Sequence, residues 1–176
     1  MTSQDDVITP KITGDKVWQL IHMPKSFDNE KEPIVLTDGF TKQYDLHSPQ
    51  SLDSFYLDIS VGSISLKYTL QTRVYSTVCL IRYDYGGTHT NPKKDCSLSK
   101  NDPFYSIHDK CIGKKYDHQP HIHIYREGFD DKWAYPANEI IKNPSNISKS
   151  VIDFLDYCGV VKKPKIQEGL YGQYDR

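Results

Sequence analysis

One short segment carries the side chains best suited to acid–base chemistry. Its sequence is Gln119-Pro120-His121-Ile122-His123-Ile124-Tyr125-Arg126-Glu127-Gly128. Successive side chains of a β-strand point to opposite faces, so the segment is predicted to be a strand with two different faces. The polar face consists of His121, His123, Tyr125 and Glu127. Ile122 and Ile124 are predicted to pack on the core, which would hold the polar row on a rigid surface.

A second polar segment runs from the end of a predicted strand into a loop. Its sequence is Arg82-Tyr83-Asp84-Tyr85-Gly86-Gly87-Thr88-His89-Thr90-Asn91-Pro92. Arg82 and Asp84 share one strand face, and His89 and Asn91 follow the two glycines. If this strand pairs with the histidine-bearing strand, the polar side chains of both segments converge.

Two histidines that face one phosphodiester are typical of RNA cleavage without a metal. The pKa of a free imidazole lies near neutrality, so one ring can deprotonate a ribose 2′-hydroxyl and the other can protonate the leaving 5′-oxygen. We predict His121 and His123 for these roles, with His89 as a third candidate. The predicted activity is therefore that of a metal-independent ribonuclease, with no metal and no other cofactor.

Five further residues are predicted to support this chemistry. Arg82 would stabilise charge on the phosphoryl oxygens, and Tyr125 would position a phosphate. Asp84 or Glu127 would orient an imidazole and fix its tautomer, and Asn91 is assigned a supporting role beside them.

Two other classes of function fit the same residues. In a metal-dependent hydrolase, His121 and His123 would bind one ion, with His89 or Asp84 as the third ligand. In a non-catalytic inhibitor, the histidines would be structural, and the tyrosines and lysines would occlude the nucleic-acid groove of a partner.

Contacts with RNA or with a protein partner are predicted mainly in the segment that follows the second motif. Aromatic side chains stack on unpaired bases, and lysines pair with phosphates. The predicted contact residues are Lys93, Lys94, Lys110, Lys114, Lys115, Tyr116 and Trp133. A solvated loop for the lysines, and packing on the sheet for Trp133, are the structural alternatives.

These motifs together resemble a family of small bacterial and prophage proteins described as uncharacterised. The resemblance spans roughly residues 13–160 and is carried by Phe55-x-Leu57-Asp58, Arg82-x-Asp84, Gly87-x-His89-x-Asn91-Pro92, Pro120-His121-x-His123-x-Tyr125-Arg126-Glu127-Gly128, Lys132-Trp133-Ala134 and Phe154-Leu155-x-Tyr157-Cys158. The chain differs from the family pattern in a longer connection between Pro92 and Pro120.

The resemblance implies a function in a mobile-element or toxin-like context. More distantly, the chain is similar to small toxins whose histidine-rich motifs suggest RNA cleavage. Some mobile-element proteins of this kind are anti-CRISPR inhibitors of CRISPR effector nucleases, and at least one is associated with truncation of guide RNA. The implied partners are single-stranded or guide RNA and a CRISPR effector, and the longer connection offers an oligomer interface at residues 93–119.

The elements that must position these residues form an α+β fold. An antiparallel meander is predicted from strands at 40–46, 55–61, 64–75, 77–85 and 121–126, with a short strand at 34–36. An N-terminal helix follows Thr13, and a C-terminal helix spans 147–158 with Asn146 or Ser148 as its cap; both are predicted on one face of the sheet. A long inserted loop or hairpin is predicted at about 93–119, with a small hairpin around 104–107.

Length and composition exclude several classes of protein. The 176 residues predict a single domain, 1–176, with the insertion at 93–119 and a C-terminal tail at 160–176. A net charge of -1 argues against a polybasic protein that coats nucleic acid, and 13 tyrosines favour a β-rich fold. The start of the sequence predicts no signal peptide, and no apolar run is long enough to cross a membrane, so the predicted location is cytoplasmic.

Overall fold

The protein has the predicted α+β architecture, with a mostly antiparallel sheet and helices near both ends of the chain. A computed structural model describes residues 11–64 and 67–169. Residues 1–10, Ser65 and Leu66 of the predicted strand 64–75, and positions 170–176 of the predicted tail lie outside the described residues.

The described chain contains the following helices and strands. The α-helices are α1 (Gly14–His22), α2 (Tyr105–His108) and α3 (Ile147–Tyr157), and short 3₁₀ turns span Asp109–Cys111 and Ala137–Glu139. The strands are β1 (Lys25–Phe27), β2 (Ile34–Leu36), β3 (Thr41–Ser48), β4 (Ser51–Val61), β5 (Tyr68–Val74), β6 (Val78–Tyr85), β7 (Thr88–Thr90), β8 (Lys115–Asp117), β9 (His121–Arg126), β10 (Asp130–Pro136), β11 (Val160–Lys162) and β12 (Ile166–Glu168).

The main sheet contains eight strands in the order β10-β9-β6-β5-β4-β3-β1-β11. Strands β3 to β6 form the predicted meander, and β9 and β10 continue it in antiparallel pairing. Strand β1 pairs in parallel with β11, and β2 pairs in parallel with β12. Each of these four strands has only three residues, too few for an alternating pattern to reveal the pairing.

Alternation along the strands gives the sheet one apolar face and one polar face. Tyr83 on β6 and Ile122 on β9 are register partners on the apolar face, and both are fully buried. Helix α1 packs against β6 and β9, and α3 covers β5, where the hydroxyl of Tyr68 lies 3.0 Å from Oγ of Ser150. Because the helices cover the apolar face, the polar residues of β6 and β9 are left on the opposite side.

The ends of the two longer helices follow their sequence signals in part. Helix α3 begins after Asn146, whose side chain accepts a hydrogen bond from the backbone nitrogen of Lys149 at 2.9 Å. It ends before Gly159, where a Cβ atom would lie 2.5 Å from the carbonyl oxygen of Met23. Helix α1 begins after Thr13 as predicted, but the Thr13 side chain makes no capping hydrogen bond.

The predicted small hairpin at 104–107 is wrong. That segment forms α2 and a 3₁₀ turn, because Phe104 is buried and stacks on Tyr135 with ring centroids 4.3 Å apart. A hairpin forms instead from β7 and β8, which lie near the two ends of residues 86–120, the segment called the excursion below. Asp102 and Arg126 form a buried ion pair that fastens the excursion to β9. Cys96 and Cys111 both carry free thiols, so they form no disulfide with each other.

Candidate functional site

Strands β6 and β9 are neighbours, so the two polar segments meet. In their antiparallel register, Asp84 lies opposite His121 and Arg82 lies opposite His123. Both pairs lie on the face opposite to the buried Ile122. Four of the predicted site residues therefore form one compact group on the polar face.

The β7–β8 hairpin folds over this group and brings the third histidine to it. Gly86 has a φ of 78°, a left-handed conformation that favours glycine and turns the chain out of β6. The ring of His89 then lies 4.4 Å from that of His123 and 5.9 Å from that of His121, measured between centroids. Across the hairpin, Tyr116 stacks on His121 at 4.9 Å.

Asn91 fixes the hairpin to β10. Its Nδ2 donates to the carbonyl oxygens of Cys111 and Ala134, and its Oδ1 accepts from the backbone nitrogen of Ala134, each at 2.8 Å. Nε2 of His89 lies 3.0 Å from Oδ1 of Asn91 and 2.9 Å from the carbonyl oxygen of Lys132. Both neighbours accept hydrogen bonds, so Nε2 carries the proton and Nδ1 of His89 keeps its lone pair.

The other two imidazoles are held in one tautomer by backbone carbonyl groups. Nδ1 of His121 donates to the carbonyl oxygen of Gln119 at 2.7 Å, and Nδ1 of His123 donates to that of Asp131 at 2.8 Å. Their Nε2 atoms lie 3.8 Å and 3.2 Å from the same oxygen, Oδ2 of Asp84. Within the described part of the chain, the buried Nε2 of His123 has no hydrogen-bond partner.

The carboxylate of Asp84 is ionised and firmly positioned. Its Oδ1 accepts a hydrogen bond from the Thr69 hydroxyl at 2.8 Å, and its Oδ2 accepts from Nε of Arg82 at 3.0 Å. Burial alone would raise the pKa of Asp84, but the ion pair with Arg82 and the hydrogen bond from Thr69 lower it, and the pKa lies below its usual range. Burial lowers the pKa of His121, which keeps that ring neutral near pH 7.

Solvent reaches the group from one side. The side chains of His121 and His123 are each 1% exposed, whereas 17% of the Asp84 side chain is exposed. Asp84 and Gly87 form part of the wall of a cavity of about 310 Å³. His89 is half-buried at the edge of the group, so it is the histidine most accessible to a substrate.

Two residues predicted in the catalytic row lie elsewhere. Tyr125 is buried, and its hydroxyl accepts a hydrogen bond from the backbone nitrogen of Ile12 at 3.5 Å. Glu127 is exposed beyond the end of β9, which stops at Arg126. Backbone carbonyl groups occupy both Nδ1 atoms, so the orienting role proposed for Glu127 is filled by the main chain.

Arg82 pairs with two carboxylates. Its guanidinium forms ion pairs with Asp84 and with Asp131. The two carboxylates therefore balance the charge of the guanidinium, and the guanidinium holds Asp84 in position. Asp131 was not predicted, because it lies on β10 where the register with β9 shifts between Asp130 and Trp133, and it reaches the site only through the pairing of the two strands.

The predicted RNA contacts separate into buried and exposed groups. Tyr116 and Trp133 are 1% and 0% exposed, so packing leaves neither ring a free face on which a base could stack. Nζ of Lys114 lies over the Tyr116 ring, 4.9 Å from its centre. The remaining predicted lysines are exposed: Lys93, Lys94, Lys110 and Lys115.

The sequence interpretation also missed a second polar cluster, in the excursion. His108 is buried, with Nδ1 2.9 Å from the Tyr135 hydroxyl and Nε2 2.8 Å from Oδ1 of Asp95. Sγ of Cys96 lies 3.7 Å from the same Nε2. The polar sequence around His108 gave no sign of this burial, which depends on packing against β10.

A family model described as "Family of unknown function (DUF6978)" matches residues 12–160, so the chain belongs to this family. The matched region includes all the residues of the site described above. No curated protein and no solved structure matches the chain. Among the described residues, the longest helices are too short and too polar to cross a membrane.

Proposed function

We propose that this member of the DUF6978 family is a hydrolytic enzyme that cleaves phosphodiester bonds in RNA. The observation that carries the proposal is the convergence of three imidazoles from two separate segments. The ring centroids of His89, His121 and His123 lie 4.4 to 5.9 Å apart, beside the ionised Asp84. Clustered titratable groups with shifted pKa values are typical of functional sites, and the pKa values of His89 and His121 are both lowered.

His89 is the general base in this proposal. Burial, followed by the neighbouring His123, lowers the pKa of His89, so its ring is unprotonated at neutral pH. Its Nδ1 carries the free lone pair, since Nε2 donates to the carbonyl oxygen of Lys132. Nδ1 would remove the proton of a ribose 2′-hydroxyl as that oxygen bonds to phosphorus and the bond to the 5′-oxygen breaks. The 5′-oxygen would leave with a proton from water, and water would then hydrolyse the 2′,3′-cyclic phosphate.

Exposed lysines around the hairpin support a polyanionic substrate. Lys93 and Lys115 are exposed close to the strands that carry His89 and Tyr116. Lysines paired with phosphate contribute to affinity through the release of counterions. The net charge of -1 on the whole chain limits this contribution, so tight RNA binding would depend on a partner.

The proposed biological substrate is guide RNA held by a CRISPR effector nuclease, in the cytoplasm. Its support is the resemblance to anti-CRISPR proteins of mobile elements, together with the limited positive charge of the chain. A partner that already holds RNA would present the strand to the histidine group.

The proposal is tested by incubating the protein with single-stranded RNA and with an effector–guide complex. We expect shortened RNA in at least one reaction, and loss of cleavage in His89→Ala. His47→Ala is the matched control, because His47 is exposed on β3 and contacts Asp28, outside the histidine group. Intact RNA in every reaction, or full cleavage by His89→Ala, would overturn the proposal.

A further inference from the structure

We propose that Asp84, His121 and His123 bind one divalent transition-metal ion, of the class that prefers imidazole and carboxylate ligands. The three side chains offer Oδ2 and two Nε2 atoms, all within 4.8 Å of one another. The catalytic use of such an ion rests on the proposed function, but its binding does not and is measured separately.

The lone pairs of two histidine nitrogen atoms point toward the carboxylate of Asp84. Both Nδ1 atoms donate to carbonyl groups, so the Nε2 atoms of His121 and His123 carry lone pairs. Both face the same carboxylate oxygen, Oδ2 of Asp84, at 3.8 Å and 3.2 Å. Electron pairs that face each other in a buried site repel unless a positive charge lies between them.

A shared proton does not resolve this repulsion well. A proton on Nε2 of His123 would have to point at Oδ2 of Asp84, yet the alignment gives no hydrogen bond there despite the 3.2 Å separation. A metal ion does not need the three donor atoms to be collinear, because it takes one lone pair from each of several directions. The geometry of His123 therefore suits an ion better than a proton.

The spacing of the three donor atoms is close to that of a tetrahedral metal site. Zinc–nitrogen and zinc–oxygen bonds of about 2.0–2.2 Å in a tetrahedron place neighbouring donor atoms roughly 3.3 Å apart. The separations of 3.2 Å and 3.8 Å from Oδ2 of Asp84 to the two Nε2 atoms are close to that value. An ion therefore requires only small adjustments of side chains that are already in place.

The three proposed ligand side chains are themselves held by hydrogen bonds from or to groups around them. Histidines that bind metals usually donate their other ring N–H to a carbonyl or carboxylate group, and the ligating carboxylate is itself hydrogen-bonded. His121 and His123 both follow this arrangement, and the Thr69 hydroxyl holds the other oxygen of Asp84 at 2.8 Å. The carboxylates of Asp84 and Asp131 outnumber the guanidinium of Arg82, with which both form ion pairs, and this favours a cation.

The donor set also indicates which ions fit. Two imidazoles and one carboxylate suit Zn²⁺, Fe²⁺, Co²⁺ or Ni²⁺, whereas Mg²⁺ and Ca²⁺ prefer oxygen ligands alone. Three protein ligands leave a coordination position open, as in catalytic zinc sites. An ion there would act as a Lewis acid on a phosphoryl oxygen, beside the base His89. This inference replaces the metal-independent acid–base roles predicted for the two buried histidines.

The second cluster in the excursion provides an internal comparison. Asp95, Cys96 and His108 also bring three donor atoms within 4.8 Å of one another. There, however, both ring nitrogens of His108 already have hydrogen-bond partners, Tyr135 and Asp95. Burial also raises the pKa of the Cys96 thiol to about 11, which disfavours the thiolate that a metal needs. We therefore assign the ion to Asp84, His121 and His123.

The test is a titration of chelator-treated protein, prepared without a metal-affinity tag, with Zn²⁺ and with Co²⁺. We expect one ion per chain, and at least about 100-fold weaker binding in Asp84→Asn and in His123→Ala, since each loses a direct ligand. Cys96→Ser is the matched control and should bind as tightly as the unmodified chain. The absorption spectrum of the Co²⁺ form of the unmodified chain, without thiolate charge-transfer bands, identifies the site even if a variant fails to fold.

The outcomes separate this inference from the proposed function. His89→Ala should retain the ion while losing RNA cleavage, because His89 lies outside the ligand group. Stoichiometric binding without any RNA cleavage would leave the metal site standing and overturn the proposed function. Absence of binding, binding that survives both ligand substitutions, or thiolate bands that disappear in Cys96→Ser would overturn the metal site.

Discussion

Nε2 of His123 lies 3.2 Å from Oδ2 of Asp84, and the two atoms are not joined by a hydrogen bond. The ring cannot turn to improve the contact, because its Nδ1 donates to the carbonyl oxygen of Asp131 at 2.8 Å. The side chain of His123 is 1% exposed and that of Asp84 is 17% exposed, so water can replace little of the missing hydrogen bond. This unsatisfied contact is the main reason to infer that a cation binds here.

The first prediction concerns the hydroxyl group that holds Asp84. Thr69→Val keeps the shape of the side chain and removes the donor to Oδ1. We expect affinity for Zn²⁺ to fall about 10-fold, the lower end of the usual effect of an outer-layer partner. Competition with a chromophoric chelator measures the change. Thr41→Val, at an exposed position on β3, is the control, and an equal loss there would contradict the assignment.

The second prediction concerns the anchor of the β7–β8 hairpin. Asn91→Ala removes three hydrogen bonds with backbone groups of Ala134 and Cys111, together with the contact between Asn91 Oδ1 and His89 Nε2. We expect a loss of about 1–3 kcal/mol in the free energy of unfolding, together with reduced RNA cleavage, because His89 loses its support. Urea denaturation measures the first effect, and the RNA cleavage assay measures the second. Asn138→Ala, on the surface, should change neither.

The third prediction concerns the ion pair that holds the excursion on the sheet. The side chains of Arg126 and Asp102 are 5% and 6% exposed, and the indole of Trp18 also donates to Asp102 at 3.0 Å. Asp102→Asn leaves a buried cation without its counter-charge, so we expect a loss of about 3–5 kcal/mol in stability. Glu30→Gln, in an exposed pair with Lys162, should cost no more than about 1 kcal/mol. Similar losses in both variants would contradict this account.

The fourth prediction concerns Lys25, which is buried and donates to the carbonyl oxygens of Ile21, Met23 and Cys158. Burial lowers its pKa from 10.5 to about 8. Between these values the unfolded chain binds a proton that the folded chain has lost, so the contribution of Lys25 to stability rises with pH. The difference in unfolding free energy between the unmodified chain and Lys25→Met should therefore rise over this range. A flat or falling difference would contradict the lowered pKa.

The alternating pattern was sufficient to predict the strand faces. Ile122 and Ile124 are buried as expected, and Arg82 and Asp84 share the opposite face with the histidines. What the pattern could not supply is the register between β6 and β9. That register depends on contacts between segments distant in the chain, and it decides that Asp84 meets His121.

The excursion was the least predictable part of the site. Tyr116 looked like a surface aromatic among lysines, but the hairpin places it against His121 with 1% of its surface exposed. The tautomers of the two histidines depend on the carbonyl groups of Gln119 and Asp131, which have no signature in the side-chain sequence. Asp102 and Tyr116 are part of the interior, so deleting residues 95–117 would disturb the fold. Substitution of single exposed lysines is therefore the better test of whether this segment binds a partner.

Cleavage of RNA by metal-free protein, before and after addition of one equivalent of Zn²⁺ or Co²⁺, tests the central claim most directly. The same preparation serves as its own control. The Asp84→Asn variant, which lacks one of the three proposed metal ligands, is compared in the same way. We predict no cleavage by the metal-free protein, recovery with the ion, and no recovery in Asp84→Asn. Equal cleavage with and without the ion would contradict the metal-dependent account, and intact RNA in every reaction would contradict the proposed hydrolase.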